Sequence, residues 1–237
     1  MLEDHFESDP IKALIGFDAI VGNYASPYQA GSAYVLLHHV IGEVNGKQGR
    51  WGHAVGGMGA ISQAIAAEAE AAGVKIETSC AVESVLVRNG TARGARIAGG
   101  EVIESDLVVA NVNPKLLYLS MLETTDISSS TRSHFERYKC MSGSFRMNVA
   151  LSELPRFTAE TPEGALSGGI IMAPSLRYMD QAYHDATRYG YSRSPVVEMM
   201  IPSTVDSSLA PAGQHVASLF CQQFDPGLGA EIGRAHV

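Results

Sequence analysis

WGHAVGGMGAISQAIAAEAEAAG, residues 51–73, runs into VKIETSCAVESVLVRNGTARGARIAGGEVIESDLVVANVNP, residues 74–114, and the reading of this stretch decides the fold. Gly56, Gly57 and Gly59 stand at the head of an alanine-rich segment of high helix propensity. Gly73 follows it, a residue suited to the left-handed position past a helix end. Val74–Thr78 alternates apolar and polar residues, which predicts a strand. Val82–Val87 predicts a second strand, Asn89-Gly90 a tight hairpin turn, Thr91–Ala98 its return, and Glu101–Glu104 a short third run after Gly99-Gly100. Leu107–Ala110 is a compact apolar run of the kind that suits a strand buried on both faces, and Pro114 prevents its continuation. A glycine turn, a helix and then tightly turned strands is an order that nucleotide-cofactor domains use. Glycine lets the backbone approach a cofactor closely, and a helix N-terminus offers N–H groups and partial positive charge to phosphate. The spacing is not G-x-G-x-x-G, so a tight loop-to-helix turn explains the glycines equally well.

Working outward toward the N-terminus, Asp9-Pro10 reads as the cap and first residue of a helix. Ile11, Leu14, Ile15, Phe17 and Ile20 give that helix an apolar face, which ends near Gly22. Ser32 caps a second predicted helix over 33–44, with Val35, Leu36, Val40 and Ile41 as its stripe. His38 and His39 lie within it. Adjacent helical side chains diverge by about 100°, so the two cannot share a metal as an i, i+4 pair would. One of them facing a substrate, or both packed as ordinary histidines, are the open readings. Trp51, the only tryptophan, either walls a cofactor pocket or anchors packing.

Beyond Pro114 the predicted order is a helix over 115–122, another over 131–139, and a strand over 144–151. A strand over 169–172 follows, then a helix from its Ser175 cap to about Arg188, and strands over 196–201 and 215–224. Strands outnumber helices here, which fits an antiparallel sheet walling an apolar chamber.

The 237 residues are 46% hydrophobic and 18% charged, enough to build a core. The net charge of -8 and the absence of a basic run argue against nucleic acid as a partner. The longest apolar run, Ala33 to Val44, contains both histidines and falls far short of the ~20 residues that span a bilayer. No transmembrane segment is therefore predicted, while peripheral membrane contact stays open. The first residues are acidic, unlike a secretory or transit leader. Cys80, Cys140 and Cys221 are far apart and odd in number, which favours buried thiols in a reducing, cytoplasmic setting over zinc or disulfides. Hydrolase elbows, HExxH, P-loops and EF-hand loops are missing, and no carboxylate pair can be assigned as acid and base. Cofactor-borne chemistry, which asks little of side chains, is the better expectation.

The order of segments in 51–114, with GVKIETSCAVESVLVRNG and GGEVIESDLVVANVNP, resembles the second FAD-domain segment of phytoene-desaturase-like and amine-oxidase-like flavoproteins. YASPYQAGSAYVLLHHVIGEVNGKQGRWGHAVGGMGAISQA and SGSFRMNVALSELPRF resemble the pyridine nucleotide-disulfide oxidoreductase domain-containing subgroup. The resemblance runs from about Leu2 to Gly229. It implies a mixed α/β fold, in which part of a Rossmann-like FAD/NAD(P)-binding domain is interleaved with an antiparallel-sheet substrate domain. It assigns substrate-domain helices to 1–50, the second FAD segment to 51–114 and the substrate-domain sheet and helices to 115–230. Residues 231–237 depart from the family and are similar to a translated sequencing-library adapter, so they are expected to be an artefactual tail.

FAD is the cofactor the resemblance implies. Gly56 and Gly57 match the glycine pair at the cofactor-side turn. Val82 matches a valine whose backbone reads the adenine, and Ala110 and Asn111 match a strand end against the dinucleotide. His38, His39 and Trp51 would lie on the substrate side. Hydride transfer to flavin needs no side-chain acid or base, and no catalytic residue is named. The substrate implied is a small molecule, apolar and isoprenoid- or lipid-like, with an amine as the alternative. The rival class is a non-catalytic scaffold or interaction protein that keeps the fold. The family's first dinucleotide-binding unit and its flavin-closing segment are not in this sequence, so an internal fragment with weak or no FAD binding is expected.

Overall fold

The computed structural model describes residues 1–140, 142–162 and 164–227. In chain order its elements are α1 (Asp9–Phe17), α2 (Ser32–His39), the short strands β1 (Glu43–Val44) and β2 (Lys47–Gln48), and α3 (Met58–Ala71). Next come β3 (Val82–Arg88), β4 (Thr91–Ile97), β5 (Val102–Glu104), α4 (Pro114–Leu116), which continues as a wider turn to Met121, and α5 (Ser129–Arg137). The last are β6 (Ser144–Leu151), β7 (Ile170–Met172), α6 (Leu176–Tyr189), β8 (Tyr191–Met200) and β9 (His215–Phe224). The fold is mixed α/β with antiparallel sheets. It divides into two compact units, one of Met1–Ile65 with the described part of Met141–Val237, the other of Ala66–Cys140.

The first unit is built on a sheet of order β6-β9-β8-β7. β6 and β9 pair without a break from Ser144↔Gln222 to Leu151↔His215. α1 and α6 cover one face, where Phe17, Ile20, Met179, Ala182 and Val196 form the main core. α6 has a strong start and stop. Ser175 Oγ accepts the Tyr178 amide at 3.1 Å, and Gly190 takes the left-handed position at φ 86°. A smaller core of Met199, Ile201 and Ala217 lies on the opposite face.

The helices of this unit depart from their sequence expectations in two places. In α1 the buried residues are Ala13, Gly16 and Phe17, while Ile11 and Leu14 are exposed. The reason is close packing: the Leu176 side chain fills the space where a Cβ on residue 16 would lie. A glycine, invisible to hydrophobic periodicity, sets which face turns inward. α2 stops at His39 rather than at 44, because Asn45 and Gly46, at φ 51° and 74°, turn the chain back as the β1–β2 hairpin.

The second unit is organised by the antiparallel meander β3-β4-β5. Asn89 and Gly90, at φ 53° and 74°, make the expected tight turn. Gly94 sits at φ +140° where the β3–β4 register shifts, with the β5 backbone packed directly against it. Tyr118 stacks on Phe135, with ring centroids 4.1 Å apart.

Two predicted strands are absent. Val74–Thr78 and Leu107–Ala110 have no strand structure, and Leu107 and Val109 are 75% and 85% exposed. A strand exists only when a neighbour takes its hydrogen bonds. Among the described residues neither run has such a neighbour, so the apolar pattern alone does not make it a strand. The expected tail at 231–237 lies outside the described residues.

Candidate functional site

Gly56 and Gly57 take successive left-handed conformations, φ 85° and 80°, immediately before α3. The Gly57 amide bonds Ala54 O at 2.9 Å, and the Ala60 amide bonds Gly57 O at 3.1 Å, so the turn feeds directly into the helix. The Gly56 amide is not free. It donates to Asp206 Oδ2 at 2.7 Å. Asp206 lies in the β8–β9 connection and is 7% exposed. Its carboxylate also accepts the Ser208 amide at 3.0 Å and the Ser208 hydroxyl at 2.6 Å. The Ser208 hydroxyl first, then the Gly56 and Ser208 amides, hold the Asp206 carboxyl below its ordinary range. His53 Nε2 lies 3.9 Å from the same carboxylate. Asp206-Ser207-Ser208 carries a local turn signal, but no sequence pattern reveals a partner 150 residues away.

His39 Nδ1 pairs with Val35 O at 2.8 Å, and its ring stacks on Trp51 at 6.3 Å between centroids. His38 and His39 meet edge to face, consistent with their diverging directions. Trp51 is 79% exposed, so within the described residues it caps a histidine rather than anchoring a core. No group of three metal-binding side chains occurs among the described residues.

His39 also belongs to a line of charges that the sequence does not disclose. Ile171, Glu198, Phe220 and Arg146 are cross-strand partners and therefore share one sheet face. Burial pushes the Glu198 carboxyl up; the neighbouring Asp18 charge adds to this and Arg146 opposes it. Burial likewise raises Asp18, with His39 opposing. The Arg146 guanidinium stands 4.6 Å over the Phe220 ring and donates to Ser218 Oγ at 2.8 Å. Beside this row, a cleft of about 560 Å³ opens among Pro10, Leu14, Ile171, Ala173 and Tyr178. Where β9 ends, Gln222 Nε2 and Gln223 Oε1 are buried with no hydrogen-bond partner among the described residues. Each is a natural seat for an ordered water or a polar ligand atom.

Glu198→Gln tests the desolvation. Because the folded-state carboxyl sits above its ordinary value, the wild type loses stability as pH rises through that range and then levels off. The variant, which cannot ionise, is expected to be the more stable at pH 7. The gain should be under about 1 kcal/mol because the carboxylate is partly solvated. The difference should vanish below the ordinary value of 4.5. Urea melts at several pH values would show it.

Val82 opens β3, pairs with Ile97 beside a register shift, and is 46% exposed. Ala110 ends the unpaired Leu107–Ala110 run, Asn111 follows it, and both are exposed. These three residues belong to the second unit, whereas Gly56, Gly57, His38, His39 and Trp51 belong to the first.

A family model, flavin containing amine oxidoreductase, matches residues 4–143, more than half of the chain. The chain therefore belongs to that family of flavin oxidoreductases. It is 36% identical over 230 residues to the mouse pyridine nucleotide-disulfide oxidoreductase domain-containing protein 2, covering 94% of this chain and 40% of the relative. It is 30% identical to a neurosporene-forming phytoene desaturase of Cereibacter sphaeroides, covering 89% of this chain and 44% of the relative. The fold is similar to that of an oxidoreductase from Methanosarcina mazei, with a TM-score of 0.60 at 19% identity, over 96% of this chain and 49% of that one. The chain thus spans less than half the length of these relatives. No helix among the described residues is long and apolar enough to cross a membrane.

Proposed function

We propose that the protein is an FAD-dependent oxidoreductase that withdraws a hydride from an apolar, isoprenoid- or lipid-like small molecule. The similarity to a phytoene desaturase over 89% of the chain carries this reading. The largely apolar cleft beside Ile171 supports it, since its size suits a section of a small-molecule substrate. Gly56, Gly57, Val82, Ala110 and Asn111 are the proposed cofactor contacts. Two left-handed glycines and the exposed chain at 110–111 fit a group met through main-chain atoms rather than side chains. His38, His39 and Trp51 are proposed for the substrate side, where His39 stacks on Trp51 and its charge acts on Asp18. The flavin, when bound, supplies the electron sink, and the chain's own residues bind the substrate, orient it and exclude water. A cytoplasmic location is part of the same reading, and the three free, widely spaced cysteines support it.

One observation favours amine oxidation as a second reading. Two carboxylates, Asp18 and Glu198, lie on the face that carries the cleft, where a protonated amine would relieve their mutual repulsion. Anaerobic mixing of the flavin-loaded protein with polyene isoprenoids and with amines separates the two readings. Bleaching of the flavin by the isoprenoid is expected. Bleaching by amines alone would replace the first reading with the second.

A further inference from the structure

We propose that Asp206 is the positioning residue of the Gly56–Gly57 turn, a carboxylate latch reaching from the β8–β9 connection to the entry of α3. Its role in the reaction rests on the reading of that turn as the cofactor side; the latch itself does not.

Two consecutive left-handed glycines do not specify their own conformation. Glycine populates left- and right-handed regions about equally and loses the most backbone entropy on ordering. Something outside the turn must hold it. The Asp206 carboxylate does so from a buried position, 2.7 Å from the Gly56 amide, and is itself fixed by two bonds from Ser208. The apolar contact agrees: a Cβ on residue 57 would lie 3.4 Å from the Leu209 side chain, so the same connection packs behind the second glycine. The connection is anchored in turn, since Ile201 is 2% exposed in the smaller core and the Thr204 hydroxyl bonds Ile201 O at 2.7 Å. A carboxylate at the start of a helix is also favoured by the helix dipole.

The latch has a consequence for recognition. The seat beside the Gly56 amide, where an anion would dock, is filled by the protein's own carboxylate. A phosphate placed there would meet like charge. The turn thus offers a cofactor bare backbone surface for close approach, and does not act as a phosphate cradle.

The test is amide exchange and chemical shift in the ¹⁵N-labelled 237-residue chain. In the wild type the Gly56 amide is expected to be protected. In Asp206→Asn its protection should fall about tenfold or more. The Ile65 and Phe220 amides should hold theirs, which a general loss of structure would not allow. Unchanged Gly56 exchange in the folded variant would overturn the latch. Should Asp206→Asn fail to fold, Ser208→Ala keeps the carboxylate and removes its hydroxyl partner. The Asp206 carboxyl should then titrate at higher pH and Gly56 protection should fall in part; no movement in either would overturn the proposal. Inorganic phosphate should leave the wild-type Gly56 resonance in place, and a saturable shift would overturn the filled-seat argument. Added FAD separates the two claims. If Gly56 loses protection in Asp206→Asn while FAD, at a concentration that shifts resonances elsewhere in the chain, moves neither the Gly56 nor the Gly57 resonance, the latch stands and the cofactor-side reading falls.

Discussion

Replacing Gly94 with alanine is expected to unfold the β3-β4-β5 meander while leaving the β6-β9-β8-β7 sheet in place. Gly94 sits at φ +140°, a region that side-chain-bearing residues rarely occupy. An added Cβ would overlap the Ile103 carbonyl oxygen and lie 2.9 Å from Glu104 Cα. Both obstacles are backbone, so no rotamer change relieves them. Strain and overpacking together should cost roughly 3–5 kcal/mol, a large share of what a small unit has to lose. Exchange protection at the Ala95 and Ile103 amides should disappear, while that at Phe220 persists. Equal protection in variant and wild type would show that the β4–β5 approach is looser than described.

The second large effect concerns the cofactor. The chain spans 40% of the mouse relative. Leu107 and Val109 turn apolar side chains into solvent, no strand among the described residues pairs with Leu107–Ala110, and Ala110 and Asn111 stand open. Open backbone of this kind supplies few simultaneous contacts, and ordering it on binding opposes affinity. The 237-residue chain is therefore expected to release FAD on desalting. A protein that also carries the remaining length of these relatives is expected to retain FAD.

What the sequence disclosed, and what it hid, divides along one physical line. Features fixed by residues close in sequence were legible. Asn89-Gly90 fixed its hairpin, Ser175 capped α6, and β6 fell at 144–151 as read. Features that need a distant partner were not. Leu107–Ala110 has the composition of a strand but no neighbour among the described residues, and Leu14 has the spacing of a core residue but lies on the open side of α1. The site shows the same division. The glycine turn announced itself, whereas Asp206, which holds it, and Glu198, paired across strands with Ile171 and Phe220, became visible only once the chain was folded. Trp51 was conspicuous as a lone tryptophan, yet its stacking on His39 depends on where α2 stops.

Family membership makes flavin the central expectation, and its most direct test is the visible absorbance of the protein expressed from the whole open reading frame. Bands of an oxidised flavin that stay with the protein through desalting, at close to one flavin per chain, are the expected result. A colourless protein that neither retains nor takes up added FAD would contradict it, and would favour a non-catalytic protein that keeps the flavoprotein fold.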